Sequence, residues 1–143
     1  MRVRIVNKSS HGLPAYETPT SAVMDLRADL ESSVIIKPLE RALIPTGLFI
    51  ELPDGYEAQV RPRSGLAIKK GISVLNTPGT IDSDYRGEIK VILINLSKED
   101  FTVNSVDRIA QMIISKFEKV QWEETSEIMD TERGHGGFGS TGH

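Results

Sequence analysis

Apolar and polar residues alternate along Tyr56-Glu57-Ala58-Gln59-Val60-Arg61 and along Arg2-Val3-Arg4-Ile5, the two-residue period of a strand with one buried face. Around them lie short runs rich in β-branched residues: Val34-Ile35-Ile36, Leu48-Phe49-Ile50, Glu88 to Ile94 and Met112-Ile113-Ile114. Such side chains suit a packed, pleated surface. Pro53-Asp54-Gly55, Asn76-Thr77-Pro78-Gly79 and Tyr85-Arg86-Gly87 supply turn chemistry between the runs. Many short strands at close spacing predict an all-β sandwich or barrel. One segment breaks the pattern. Ser64-Gly65-Leu66-Ala67-Ile68-Lys69-Lys70-Gly71 has a capping serine in front, two cations in its last turn and a closing glycine, which predicts a two-turn helix.

Composition narrows the classes open to this chain. It has 143 residues, the size of one domain that buries roughly two-thirds of its unfolded surface. Residues 1–143 form that domain, with a body to about residue 122 and an acidic arm and lid from about 123 to 143. The formal net charge of −3 argues against a general nucleic-acid binder. Cysteine is absent, which removes disulfides, thiolate metal sites and thiol nucleophiles. The charged first residues lack the apolar stretch of a signal peptide. The longest apolar run, Val91-Ile92-Leu93-Ile94, is far too short to cross a bilayer. The expectation is a cytoplasmic protein with no membrane or stable nucleic-acid partner.

Three places carry candidate chemistry. At the start of the helix, free N–H groups and the helix dipole converge beside Arg61 and Arg63, an arrangement that binds phosphate; a plain capped helix accounts for the same residues. From Leu75 to Lys90 the chain predicts a hairpin, on which Asp82 and Asp84 share one face if the segment is extended. Asn76 and Tyr85 stand at opposite ends of its loop. A carboxylate held in a cleft can orient and deprotonate water, although Asp and Asn are also common turn formers. The last ten positions hold five glycines, among which stand Phe138, Ser140 and Thr141, with Arg133 just before. A cation and two hydroxyls suit anionic oxygens, a ring suits a flat face, and glycines permit close backbone approach. A frayed end and a lid ordered by its ligand both fit that composition.

Five blocks, in order and across nearly the whole chain, resemble the deoxyuridine triphosphate nucleotidohydrolases (dUTPases). They are Ser21-Ala22-Val23-Met24-Asp25-Leu26-Arg27-Ala28; Arg61-Pro62-Arg63-Ser64-Gly65-Leu66-Ala67; Asn76 to Glu88; Asp107-Arg108-Ile109-Ala110-Gln111-Met112; and Arg133 to Gly142. Val23 and Val106 depart from the family pattern, each standing where it usually has glycine, so they bear on local backbone shape.

The resemblance implies a distorted, jelly-roll-like β-barrel of the β-clip kind, assembled as a homotrimer with shared active sites. It implies hydrolysis of dUTP to dUMP and pyrophosphate with Mg²⁺. Asp82 matches the catalytic carboxylate. Asn76, Gly79, Thr80 and Ile81 match the uracil pocket, Tyr85 the ring beneath the deoxyribose, and Lys90 a nucleotide contact across the hairpin. Arg63, Ser64 and Gly65 match the phosphate clamp, and Gln111 a contact near the α-phosphate. Asp25 matches the carboxylate that holds the metal through water. In the tail, Phe138 matches the ring stacked on uracil, while Arg133, Gly139, Ser140 and Thr141 match the γ-phosphate contacts. His135 sits at a variable position, and no His/carboxylate spacing suggests zinc. The alternative is a dCTP deaminase, or bifunctional deaminase-diphosphatase, of the same fold. A nucleotide-binding regulator without turnover and a purely structural subunit are the other classes, against which the retained Asp82 and Ser64 speak.

Overall fold

The computed structural model of the protein describes residues 1–139, folded as eleven strands and one short helix. In chain order these are β1 (Arg4–Asn7), β2 (Met24–Arg27), β3 (Val34–Ile36), β4 (Arg41–Pro45), β5 (Leu48–Glu51), β6 (Tyr56–Arg61), α1 (Ser64–Lys70), β7 (Ile72–Val74), β8 (Gly79–Ile81), β9 (Lys90–Asn95), β10 (Phe101–Val103) and β11 (Arg108–Lys116). All the strand pairings are antiparallel. They form a four-stranded sheet, β2-β11-β6-β8, a three-stranded sheet, β4-β9-β7, and two strand pairs, β1-β5 and β3-β10. The sheets wrap one core in a jelly-roll-like arrangement without closing into a true barrel.

Alternation places the core. In β6, Ala58 and Val60 are buried while Glu57 and Gln59 stand half-exposed, and in β9 Val91, Leu93 and Asn95 turn inward. Leu26, Ile44 and Leu48 meet them from β2, β4 and β5. Two buried polar side chains lie in this apolar interior, and both are satisfied. The Asn95 amide donates to the carbonyls of Ile36 (2.8 Å) and Glu99 (2.7 Å), and its oxygen accepts from Ser97. The Thr46 hydroxyl donates to the Ile89 carbonyl at 2.6 Å. A buried amide or hydroxyl is stable only with such partners.

The structure moves three local expectations. The first strand runs from Arg4 to Asn7 rather than from Arg2, because its partner β5 offers only four residues, Glu51 back to Leu48. Helix α1 forms as expected, but Ser64 is its first residue; Arg63 is the cap, and no side chain caps it. Gly71 closes the helix at φ 64°, with its N–H on Ala67 O, 3.1 Å away. The segment from Leu75 to Lys90 is no hairpin. β7 pairs with β9 and β8 with β6, so the Asn76–Gly79 turn carries the chain from one sheet to another.

Val106 turns out to sit at φ 72°, left-handed backbone that β-branched residues rarely adopt. Its N–H bonds the Ala28 carbonyl at 2.7 Å, and its own carbonyl accepts from Arg27 at 3.0 Å, so the turn is held despite the strain. Val23 shows no such conformation. Strain in this region is worth about 1–3 kcal/mol, against roughly 0.5–1 kcal/mol for the greater freedom of an unfolded glycine. Val106→Gly is therefore expected to stabilise the fold by about 1 kcal/mol and raise the thermal midpoint by a few degrees. A lower midpoint would contradict this account of the turn.

Candidate active site

The sequence-selected residues fall into two separate groups on one chain. The first lines a cavity of about 300 Å³ that contains Thr80, Ile81, Asp82, Tyr85, Glu88 and Lys90. Thr80 and Ile81 end β8, and pairing with Gln59 and Ala58 fixes their register. Asp82 follows at once, exposed, and its carbonyl accepts the Tyr85 N–H at 3.2 Å. This turn bends the chain between Asp82 and Asp84, so the two carboxylates do not share the face of an extended strand. Tyr85 donates its hydroxyl to the Glu88 carbonyl at 3.0 Å. A methyl group added at Gly87 would collide with the Tyr85 ring and hydroxyl; glycine is what lets the ring lie there. Asn76 lies over Gly79, its amide nitrogen 3.2 Å from where a β-carbon would stand. Lys90 pairs with Pro45 of β4, and its ammonium is 3.6 Å from the Glu88 carboxylate.

The second group surrounds Asp25 on β2. Its side chain is 9% exposed and accepts from Arg63 Nε at 3.0 Å, an Arg108 guanidinium nitrogen at 3.2 Å and Gln111 Nε2 at 3.3 Å. Paired charges of this kind are what allow a carboxylate to be nearly buried. Arg63 thus faces Asp25 and is not the free cation that the sequence suggests, while Arg61 turns to Gln59 at 2.7 Å. Ser64 and Gly65 are exposed at the start of α1. Arg108 and Gly87 are the residues that sequence reasoning passed over. Both lay inside the quoted blocks, but only their contacts reveal what they do.

The donors available suit one cation in one manner. Among the described residues no cluster of three or more His, Asp or Glu side chains could ligate a metal. Asp25 is a hard oxygen donor whose oxygens already accept three hydrogen bonds. It fits a hydrated Mg²⁺ held through water, since that ion keeps several waters and takes the rest of its shell from phosphate.

Register keeps the two groups apart. Asp25, Gln111 and Arg61 share one row of the sheet, and Ser64 lies three residues beyond that row. Ile81 pairs with Ala58 and β8 runs antiparallel to β6, so Asp82 falls beside Glu57, at the other end of β6. Four residues of strand span roughly 13 Å, and three strand spacings lie crosswise to Asp25. The separation of Asp82 from Asp25 is on the order of 15–20 Å by that geometry.

The tail belongs to neither group. The body's last backbone tie is Phe117 N–H to Gly55 O at 3.1 Å, and beyond it no strand or helix forms among the described residues. Arg133 closes a local turn with its Nε on Gly136 O at 2.8 Å. Phe138 is fully exposed and Gly139 has φ 86°. Ser140 and Thr141 lie outside the described residues.

Comparison with known proteins gives a consistent answer. A family model described as dUTPase matches residues 10–142. The deoxyuridine 5′-triphosphate nucleotidohydrolase of Cytophaga hutchinsonii is 59% identical, covering 98% of this chain and 91% of its own. The protein of the same name from Finegoldia magna is 54% identical over the full length of both. Among solved structures, a point mutant of a Staphylococcus bacteriophage 80alpha dUTPase with dUpNHpp aligns with a TM-score of 0.89 at 22% identity, covering 99% of each chain. A point mutant of a dUTPase of Staphylococcus aureus phage phi11, described as coordinating a structural Mg(II) ion, aligns at 0.81 and 20% identity over 90% of this chain and 99% of its own. At such identities the structures show likeness of fold.

Proposed function

This chain belongs to the dUTPase family and hydrolyses dUTP, and we propose that Asp82 drives the step by activating water against the α-phosphorus. The water oxygen forms the new bond to phosphorus, its proton passes to the Asp82 carboxylate, and the bond from the α-phosphorus to the bridging oxygen breaks. Pyrophosphate leaves and dUMP remains. The observation that carries this reading is the cavity in which Asp82, Tyr85 and the β8 backbone at Thr80 and Ile81 meet.

In this reading the strand end at Thr80 and Ile81, with Asn76 and Gly79 behind it, faces the base edge. The Tyr85 ring floors the deoxyribose and leaves no room for a 2′-hydroxyl. Arg63, Ser64, Gly65 and Gln111 hold phosphate oxygens, and Asp25 would hold hydrated Mg²⁺, which would supply charge neutralisation on the triphosphate. Arg133, Phe138, Gly139, Ser140 and Thr141 close over the nucleotide from the tail. The register separation between Asp82 and the Asp25–Ser64 group supports a site built from more than one copy of the chain. A ring of three copies with head-to-tail interfaces satisfies that need, because such contacts bring different surfaces together. The cytoplasm, where deoxynucleotides are made, is its proposed place.

Incubation with dUTP, dCTP, dTTP and UTP in Mg²⁺, with chromatographic separation of products, tests the assignment. The expected result is dUMP and pyrophosphate from dUTP, with little turnover of UTP or dTTP. Similar rates on dUTP and UTP would overturn the place given to Tyr85. Ammonia release from dCTP would replace the reading with the deaminase.

A further inference from the structure

We infer that Thr46, which does not line the cavity, is a positioning residue that sets how strictly the site rejects a 2′-hydroxyl. The inference rests on the reading of Tyr85 as the floor beneath the sugar. Tyr85 is fixed at its hydroxyl, by the Glu88 carbonyl, and at its ring face, by the space over Gly87. The ring is therefore only as well placed as the backbone at Glu88 and Ile89.

That backbone is tied to the corner between β4 and β5. The fully buried Thr46 hydroxyl donates to the Ile89 carbonyl at 2.6 Å and lies 3.3 Å from the Leu48 N–H, from which it accepts. Ile89 N–H in turn bonds the Leu48 carbonyl at 2.8 Å, and the Gly47 N–H donates to the Glu88 carboxylate at 2.9 Å. Gly47 can make this turn because it is at φ 69°, where a β-carbon would lie 2.7 Å from Ser9 N. Thr46 is the only side chain that bonds the Ile89 carbonyl among the described residues. Replacing that hydroxyl with a methyl group leaves a buried carbonyl without its donor, which the backbone relieves by shifting. The shift passes through the Glu88 carbonyl to the Tyr85 ring.

Thr46→Val keeps the shape and removes the donor, whereas Thr46→Ser keeps the donor. The measurement is kcat/KM for dUTP and for UTP in wild type and both variants, with circular dichroism and a thermal melt to establish folding. Misplacing a positioning group by about 1 Å costs up to 10²-fold, so the dUTP-to-UTP ratio of Thr46→Val should fall about tenfold. Thr46→Ser should keep the wild-type ratio. A loss of stability alone lowers both substrates together and leaves the ratio unmoved. A folded Thr46→Val protein with the wild-type ratio would overturn the inference alone. A wild-type enzyme indifferent to the 2′-hydroxyl would remove the reading of Tyr85 and the inference with it. Should Val at this position prevent folding, Thr46→Ala takes its place. It removes the same hydroxyl donor, with the same two outcomes for the ratio.

Discussion

Asp82→Asn is expected to bind a non-hydrolysable dUTP analogue as wild type does while losing about 10²–10⁴-fold in kcat, the usual worth of a general base. Asparagine matches aspartate in shape, and its carbonyl still accepts a hydrogen bond from the attacking water. It cannot take the proton. The local geometry makes this substitution clean. Asp82 is exposed at the end of β8, and its carbonyl rather than its side chain accepts the Tyr85 N–H. Among the described residues its carboxylate forms no ion pair within the chain. Folding and the shape of the cavity are thus expected to survive. Calorimetric titration with the analogue gives the affinity, and pyrophosphate release gives the rate. A variant that keeps about a third or more of the wild-type kcat would remove the general-base assignment.

Much of the architecture could be read from residue order. The alternation in Tyr56–Arg61 marked β6, the β-branched runs marked β3, β5, much of β9 and the middle of β11, and the sequence from Ser64 to Gly71 marked the single helix. Periodicity identifies a strand and its buried face but not its partner, because a face is a local property and pairing is not. For that reason Leu75 to Lys90 looked like a hairpin although β7 and β8 lie in different sheets. The short strands β2, β4, β7, β8 and β10 were not marked by period. Three to five residues give too little of it, and tertiary pairing holds them in place. The candidate site shows the same division. Asp82 and Tyr85 could be named from their block and Lys90 from its place just beyond it, and the structure gathers them around one cavity. The ion pairing of the other group was hidden. Arg63 looked like a free cation until Asp25 appeared beside it, joined from a segment 38 positions away. Val106 is the converse case. The mismatch with glycine was visible in the sequence, and φ 72° gives it physical meaning.

The central claim is that Asp82 and Ser64, set at opposite ends of β6 by the register of β8, serve one reaction only when different copies supply them. Ser64→Ala suits a test of it, because the Ser64 side chain caps nothing within the chain. Loss of one phosphate contact should cost about 10²-fold in rate. Neither Asp82→Asn nor Ser64→Ala assemblies should then show more than a few per cent of wild-type turnover. Unfolding the two variants together in equal amounts and refolding them allows copies to mix. If each site takes Asp82 from one copy and Ser64 from another, about one site in four across all the refolded trimers receives both intact. The account predicts recovery of dUTP hydrolysis to roughly a quarter of the wild-type rate. Activity no higher than the average of the two variants refolded separately would contradict it.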